Sequence, residues 1–209
     1  VSIEDLYQEH CSRRSDINEH LPTLKRYGDQ CATITEMGVR KGVSTSAWLM
    51  ARPRRLRSYD LDGAFFLAHR EATYQRAAAE VGCDFQYVVA DVLTLDIEPT
   101  DLLFIDTWHV YEQLEAELER HGDKAQKFIV LHDTETFGRW GEDPEWVRWL
   151  HWLSRALRKV TKLVPEVKRR DGLERAVVAF LAAHPEWQRE AHFRNNNGLT
   201  ILKRVAPSV

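Results

Sequence analysis

Between Cys31 and Leu131 the hydrophobic period of the chain switches back and forth, and this alternation constrains the fold more than any other feature. Cys31–Met37, Leu56–Asp60, Phe85–Ala90, Asp101–Asp106 and Phe128–Leu131 read as strands, each short and rich in apolar residues. Ser44–Met50, Phe65–Val81 and Val110–His121 read as helices between them. Strands and helices alternating at this interval build βαβ units, and therefore a parallel sheet with helices on both faces. The tail departs from that rule. Trp187–Phe193 and Leu199–Val205 flank Asn195-Asn196-Asn197-Gly198, and Asn-Gly between two apolar runs signals a hairpin. Five parallel strands and a hairpin make the expected fold an α/β, seven-stranded, mostly parallel sheet with a C-terminal antiparallel hairpin.

The first 30 residues read as helical. Asp16-Ile17-Asn18-Glu19 has the spacing of a capping box, Leu21, Leu24 and Tyr27 follow at helical steps, and Gly28 stops the run. With 209 residues and no internal repeat, the chain is read as a single domain, 1–209. A net charge of -3 lacks the basic excess of a nucleic-acid binder, so no nucleic-acid partner is expected. No apolar run approaches the ~20 residues of a membrane span, and no signal-like segment opens the sequence. Cys11, Cys31 and Cys83 are scattered and odd in number, as in a reduced, cytoplasmic protein.

One stretch stands apart. Residues 139–170 carry four of the seven tryptophans (Trp140, Trp146, Trp149, Trp152) and nine of the 29 basic side chains. Trp146, Trp149, Leu150, Leu153, Leu157, Val160 and Leu163/Val164 recur at helical steps, which predicts an amphipathic helix. Three uses are open to it: a core helix with a solvated basic face, a lid or subunit contact in a homo-oligomer, or a surface for anionic lipid.

Chemistry is expected where the strands end. The loop after the first strand reads Glu36-x-Gly38-x-x-x-Gly42-x-Ser44-Thr45, and its glycines allow a sharp turn and close approach of a ligand to a helix N-terminus. A dinucleotide fingerprint needs glycines at its first, third and sixth positions, but Arg40 and Val43 occupy the last two. Asp60 closes the second strand, where a carboxylate can accept hydrogen bonds from ribose hydroxyls. The fourth strand ends in Asp106-Thr107-Trp108-His109 and the fifth in His132-Asp133-Thr134-Glu135. In an open α/β sheet ligands bind at the carboxyl ends of the strands, so these groups should meet the glycine loop at one rim. Two strand ends supplying imidazoles and carboxylates suit either a divalent metal or a general base.

The runs Glu36–Thr45, Tyr59-Asp60-Leu61-Asp62 and Ala90-Asp91-Val92 resemble the first three motifs of class I S-adenosylmethionine (SAM)-dependent methyltransferases, which have a Rossmann-like fold with a similar hairpin tail. Leu103–Tyr111 with Ile129–Thr134 resembles the branch that groups cephalosporin-hydroxylase-like, macrocin-type and sugar O-methyltransferases. The resemblance spans about Asp16 to Arg204. It implies SAM as cofactor, with Gly38 and Gly42 facing its methionine part, Asp60 on the ribose, Asp91 near the adenine amine, and Glu36 and Ser44 also among the cofactor-binding residues. It also implies His109 as base beside Asp106, and Mg²⁺ held by Asp106, His132 and Asp133. Several metal-binding relatives have an acidic pair where this chain has His132-Asp133.

The activity this implies is methyl transfer to a hydroxyl of a small molecule, a sugar or a glycosylated metabolite. The same loop and Asp60 would serve N-methylation of an amine such as an aminosugar, and a non-catalytic SAM-binding scaffold would keep the same fold.

Overall fold

The computed structural model describes residues 2–143 and 170–205. The amphipathic helix expected around Trp146–Val164 lies outside the described residues. The elements run α1 (Ile3–Ser12), α2 (Leu21–Gly28), β1 (Thr33–Met37), α3 (Val43–Met50), β2 (Arg55–Asp60), α4 (Ala64–His69), α5 (Glu71–Glu80) and β3 (Asp84–Val89). They continue with β4 (Thr100–Ile105), α6 (Tyr111–His121), β5 (Ala125–His132), α7 (Leu173–Ala183), β6 (Trp187–Phe193) and β7 (Leu199–Arg204).

All seven strands form one sheet in the order β3-β2-β1-β4-β5-β7-β6. The first five are parallel, while β7 runs antiparallel to β5 and β6 antiparallel to β7. Chain order reverses between β1 and β4, which opens a crevice at their carboxyl ends.

Alternate residues of each inner strand serve opposite faces. On β5, Phe128 and Val130 pack with α1, α2, α3 and α5, while Ile129 and Leu131 pack with α6 and α7. Burial on both sides is why these strands read as unbroken apolar runs.

Three local expectations are corrected. Asp16 caps no helix. The capping box belongs to Ser2 and Asp5 at the start of α1, and a 3-10 turn over Asn18–His20 precedes α2. Ser15 Oγ accepts the N–H groups of Ile17 and Asn18, which leaves Asp16 to pair with Arg40 at 3.2 Å. The helix expected over Phe65–Val81 is two, α4 and α5, parted at Arg70; the bend lets Phe66 stack on Tyr87 while Tyr74 reaches Phe85. Finally, α7 was not foreseen, although Leu173, Ala176, Val177 and Phe180 form a buried stripe at helical steps after Gly172.

The hairpin turns through Asn195–Gly198, closed by the Gly198 N–H on the Asn195 carbonyl at 2.9 Å. Its two central residues, Asn196 and Asn197, have φ of 46° and 69°, the pairing that suits a type I′ turn. This turn is locked in from two sides. The Asn197 carbonyl accepts the Glu135 and Thr136 N–H groups, and Asn196 Oδ1 accepts the Glu19 N–H.

Candidate active site

At the β1–β4 crevice the chain turns back on itself immediately after Met37. Gly38 has φ of 85°, and a Cβ there would stand 1.9 Å from the Asp106 carbonyl oxygen, so the loop lies directly on the end of β4. Arg40 occupies the place of the missing middle glycine and still adopts φ of 51°. The left-handed region costs a side-chain-bearing residue roughly 1–2 kcal/mol. Asp60 holds it there: its Oδ2 accepts the N–H groups of Val39 and Arg40 at 2.8 and 2.7 Å, and Oδ1 accepts that of Asp62 at 3.0 Å. Gly42, with φ of 80°, faces Tyr74 and Phe66 rather than the crevice.

Glu36 and Ser44 lie beneath this loop. Glu36 is fully buried, and its carboxylate accepts hydrogen bonds from Ser44 and Thr45 of α3 and Ser58 of β2 at 2.6, 2.9 and 2.6 Å. Burial pushes its carboxyl up, against the pull of the three hydroxyls, to about 7. The group ties β1, β2 and α3 together below the crevice.

Above them a cavity of about 610 Å³ opens. Gly38, Asp60, Asp91, Asp106, His109 and Asp133 line it, with Thr107, Trp108 and Gln113 along the α6 side. Leu61, Phe65 and Trp108 are large apolar side chains on its wall with exposures of 75%, 42% and 46%, surfaces that suit a flat, partly apolar ligand. Asp91 accepts the Leu93 N–H through Oδ1.

At one end of the cavity the strand-end groups converge. His109 Nε2 lies 2.9 Å from Asp133 Oδ2 and 3.4 Å from Asp106 Oδ1, and its Nδ1 lies 3.0 Å from Glu142 Oε2. Phe137 stacks on the ring at 4.8 Å and fixes its plane. His132 stands behind, almost fully buried, with Nδ1 3.2 Å from Asp106 Oδ1 and Nε2 3.3 Å from the Asn196 carbonyl. An imidazole with acceptors at both nitrogens carries both protons. Burial pulls both imidazoles down, but Asp106 and Asp133 together raise each to about 10. Conversely, the two imidazoles outweigh burial and hold the Asp106 and Asp133 carboxyls below the usual carboxylate range. Asp133 adopts φ of 59°, and its buried Oδ1 meets no donor among the described residues.

These contacts redistribute the expected metal set. Asp106, His109 and Asp133 bring one donor atom each within 4.8 Å of one another. His132 lies outside this group: its ring is almost fully buried and does not line the cavity. Two carboxylates, one imidazole and an undonated carboxylate oxygen form a donor set that fits a divalent cation. Glu142 on the far nitrogen of His109 is the outer partner that metal-bound imidazoles characteristically have. Sequence reading passed over Glu142, which sits 33 residues from His109 with no motif to mark it. Glu135, expected at the rim, pairs with His192 at 3.1 Å and lines a separate groove.

The sequence matches no family model and no curated protein. Solved structures do resemble the fold. An O-methyltransferase from Bacillus cereus in complex with S-adenosylhomocysteine (SAH) superposes with a TM-score of 0.57 at 14% identity, covering 97% of this chain and 90% of that one. The SAH-bound magnesium protoporphyrin IX methyltransferase from Synechocystis gives 0.56 at 13%, covering 97% and 93%. The O-methyltransferase of tomaymycin synthesis from Streptomyces achromogenes, in complex with SAM, gives 0.53 at 18%, covering 88% and 80%. The chain has the Rossmann-like methyltransferase fold.

Proposed function

We propose that this protein transfers the methyl group of SAM to a hydroxyl of a small molecule, a sugar or a glycosylated metabolite. The observation that carries the reading is the junction of two parts: a nucleoside-sized cavity at the sheet reversal, and a carboxylate–imidazole cluster at its end. That neighbours of this fold hold SAM or SAH in their structures supports it.

In this reading Gly38 lets the methionine end lie against the β1 loop. Asp60 keeps one acceptor site free on Oδ1 for a ribose hydroxyl while its other contacts hold that loop. Asp91 faces the adenine end, and Leu61, Phe65 and Trp108 supply apolar walls. SAM supplies an electrophilic methyl on a sulfonium, and a divalent cation such as Mg²⁺ would lower the pKa of an acceptor hydroxyl. Asp106, His109 and Asp133 would hold that cation.

His109 is the proton-handling group of the site, at Nε2. That atom has one lone pair, so it serves as ligand or as base but never as both at once. With its pKa at about 10, about one molecule in a thousand would have Nε2 free of its proton at pH 7. In the metal-free site Nε2 therefore holds its proton near neutrality, and either role begins with that proton leaving.

Calorimetry with SAH tests the cofactor reading, with binding expected in the micromolar range; absence of binding would remove it. Methyl transfer to a panel of sugars and glycosides, with and without EDTA, tests the rest. Activity that EDTA abolishes at pH 7 and that Mg²⁺ or Mn²⁺ restores supports the ligand assignment, and EDTA-resistant activity at pH 7 would overturn it.

A further inference from the structure

Glu117 is out of place on its helix. α6 turns Leu114, Leu118 and His121 inward, and Glu117 shares that buried stripe with 0% exposure. Taking a carboxylate out of water is costly, so its partners should explain it. Both partners reach the same oxygen: Thr107 Oγ1 donates to Oε1 at 2.7 Å and Gln113 Nε2 donates to it at 2.8 Å. Oε2 is buried and meets no donor among the described residues.

The consequence falls on Gln113, which lines the 610 Å³ cavity together with Asp91 and Thr107. A carboxylate only accepts hydrogen bonds, so the amide nitrogen of Gln113 must face Glu117, and its carbonyl oxygen is left as the free end. Burial pushes the Glu117 carboxyl up to about 7, and in either protonation state Oε1 can remain the acceptor because Oε2 has no partner.

We propose that Gln113 Oε1 accepts a hydrogen bond from the exocyclic amine of the cofactor's adenine, and that Glu117 is the positioning residue that keeps this amide from turning over. The proposal rests on the SAM reading of the cavity. Asp91 Oδ1 is occupied by the Leu93 N–H, which leaves Oδ2 for the second amine proton. Two acceptors then face two donors, and a base with a carbonyl in place of the amine meets oxygen against oxygen. Thr107 adds a link to the reacting end, because the same Glu117 oxygen anchors the loop between Asp106 and His109.

The test compares SAH with its deaminated analogue, S-inosylhomocysteine, by calorimetry on the full chain. The wild type should bind SAH at least tenfold more tightly, the scale of one good hydrogen bond. Gln113→Met should weaken SAH about tenfold and, by removing the opposed oxygen, bind the inosyl analogue at least as tightly as the wild type does, so the preference falls at least tenfold. Glu117→Gln replaces an acceptor with a group that can also donate, which lets Gln113 turn its amide nitrogen toward the 6-carbonyl, and the preference should again shrink. If SAH binds and both variants keep the wild-type preference, the inference is overturned while the SAM reading stands. No binding of SAH to the wild type overturns the SAM reading itself. Should Glu117→Gln fail to fold, Gln113→Met at the half-buried cavity wall decides alone.

Discussion

Replacing Glu36 by Gln should change how stability depends on pH, and its burial sets the size of the effect. The carboxyl lies at about 7 in the folded chain against an ordinary 4.5, because burial outweighs three hydroxyl donors. The folded state therefore keeps this proton over a range where the unfolded chain has lost it. Where the folded state binds more protons, stability falls as pH rises. The contribution is complete below about pH 4.5 and is lost as pH rises to about 7. A carboxyl raised from 4.5 to about 7 contributes about 3 kcal/mol over the whole range. Gln cannot titrate, keeps one acceptor oxygen, and offers an amide to hydroxyls that can rotate to accept it. Urea unfolding of both proteins at pH 5 and pH 8 measures the difference. The wild type should lose about 2.5 kcal/mol more than Glu36→Gln between those pH values, since part of the contribution is already gone at pH 5. Equal pH dependence in the two proteins would show that Glu36 is already ionised at pH 5 and that its hydroxyls outweigh burial. Glu36→Ala should be destabilised at both pH values, since three buried hydroxyls lose their acceptor.

Gly38→Ala should lower the melting temperature and weaken SAH binding together, because its Cβ would stand 1.9 Å from backbone that cannot give way; a variant with unchanged melting would mean the loop shifts freely. Asp60→Ala removes the acceptor of three backbone N–H groups, so calorimetry should show SAH affinity reduced at least tenfold, with a loss of melting temperature beside it. His109, raised from 6.5 to about 10, contributes stability that is fully present below pH 6.5 and disappears as pH rises through 10. In EDTA, urea unfolding should show that decline and His109→Gln should flatten it. Saturating Mn²⁺ should also flatten it by occupying Nε2, and a decline identical with and without Mn²⁺ would remove His109 from the ion's ligands.

The parts of this fold that could be read in the sequence are those whose signal is local. The inner strands are buried on both faces, so β4 and β5 appear as unbroken apolar runs that end abruptly in polar groups. That abrupt change is also why Asp106, His109 and Asp133 stood out before any geometry was known. What stayed hidden depends on contacts between residues far apart in the chain. Arg40 has no local reason to adopt a left-handed conformation; the reason is Asp60, 20 residues on, holding its N–H. Glu142 reaches His109 across 33 residues, and Glu117 matters only because Thr107 and Gln113 face it.

The two histidines show most directly what separates a motif from a site. His132 adjoins Asp133 in the chain, and adjacency alone makes it the natural third ligand. Its Nε2, however, is bonded to the Asn196 carbonyl, 64 residues away in the hairpin turn, and its Nδ1 faces Asp106. With an oxygen at each nitrogen the ring is a buried cation, and it does not line the cavity. His109 has carboxylates at both nitrogens as well, but its Nε2 opens on the cavity, where an incoming cation can take the proton's place. The metal-free cluster of three carboxylates and two imidazolium groups has a net charge of about −1. Exchanging one proton for a divalent cation brings it to about zero. His132 is then a fixed internal counter-ion that offsets one carboxylate, and it sets how much positive charge the remaining site can accept. The hairpin turn that holds His132 in this state is thereby part of the site's electrostatics, although it contributes no side chain to the cavity.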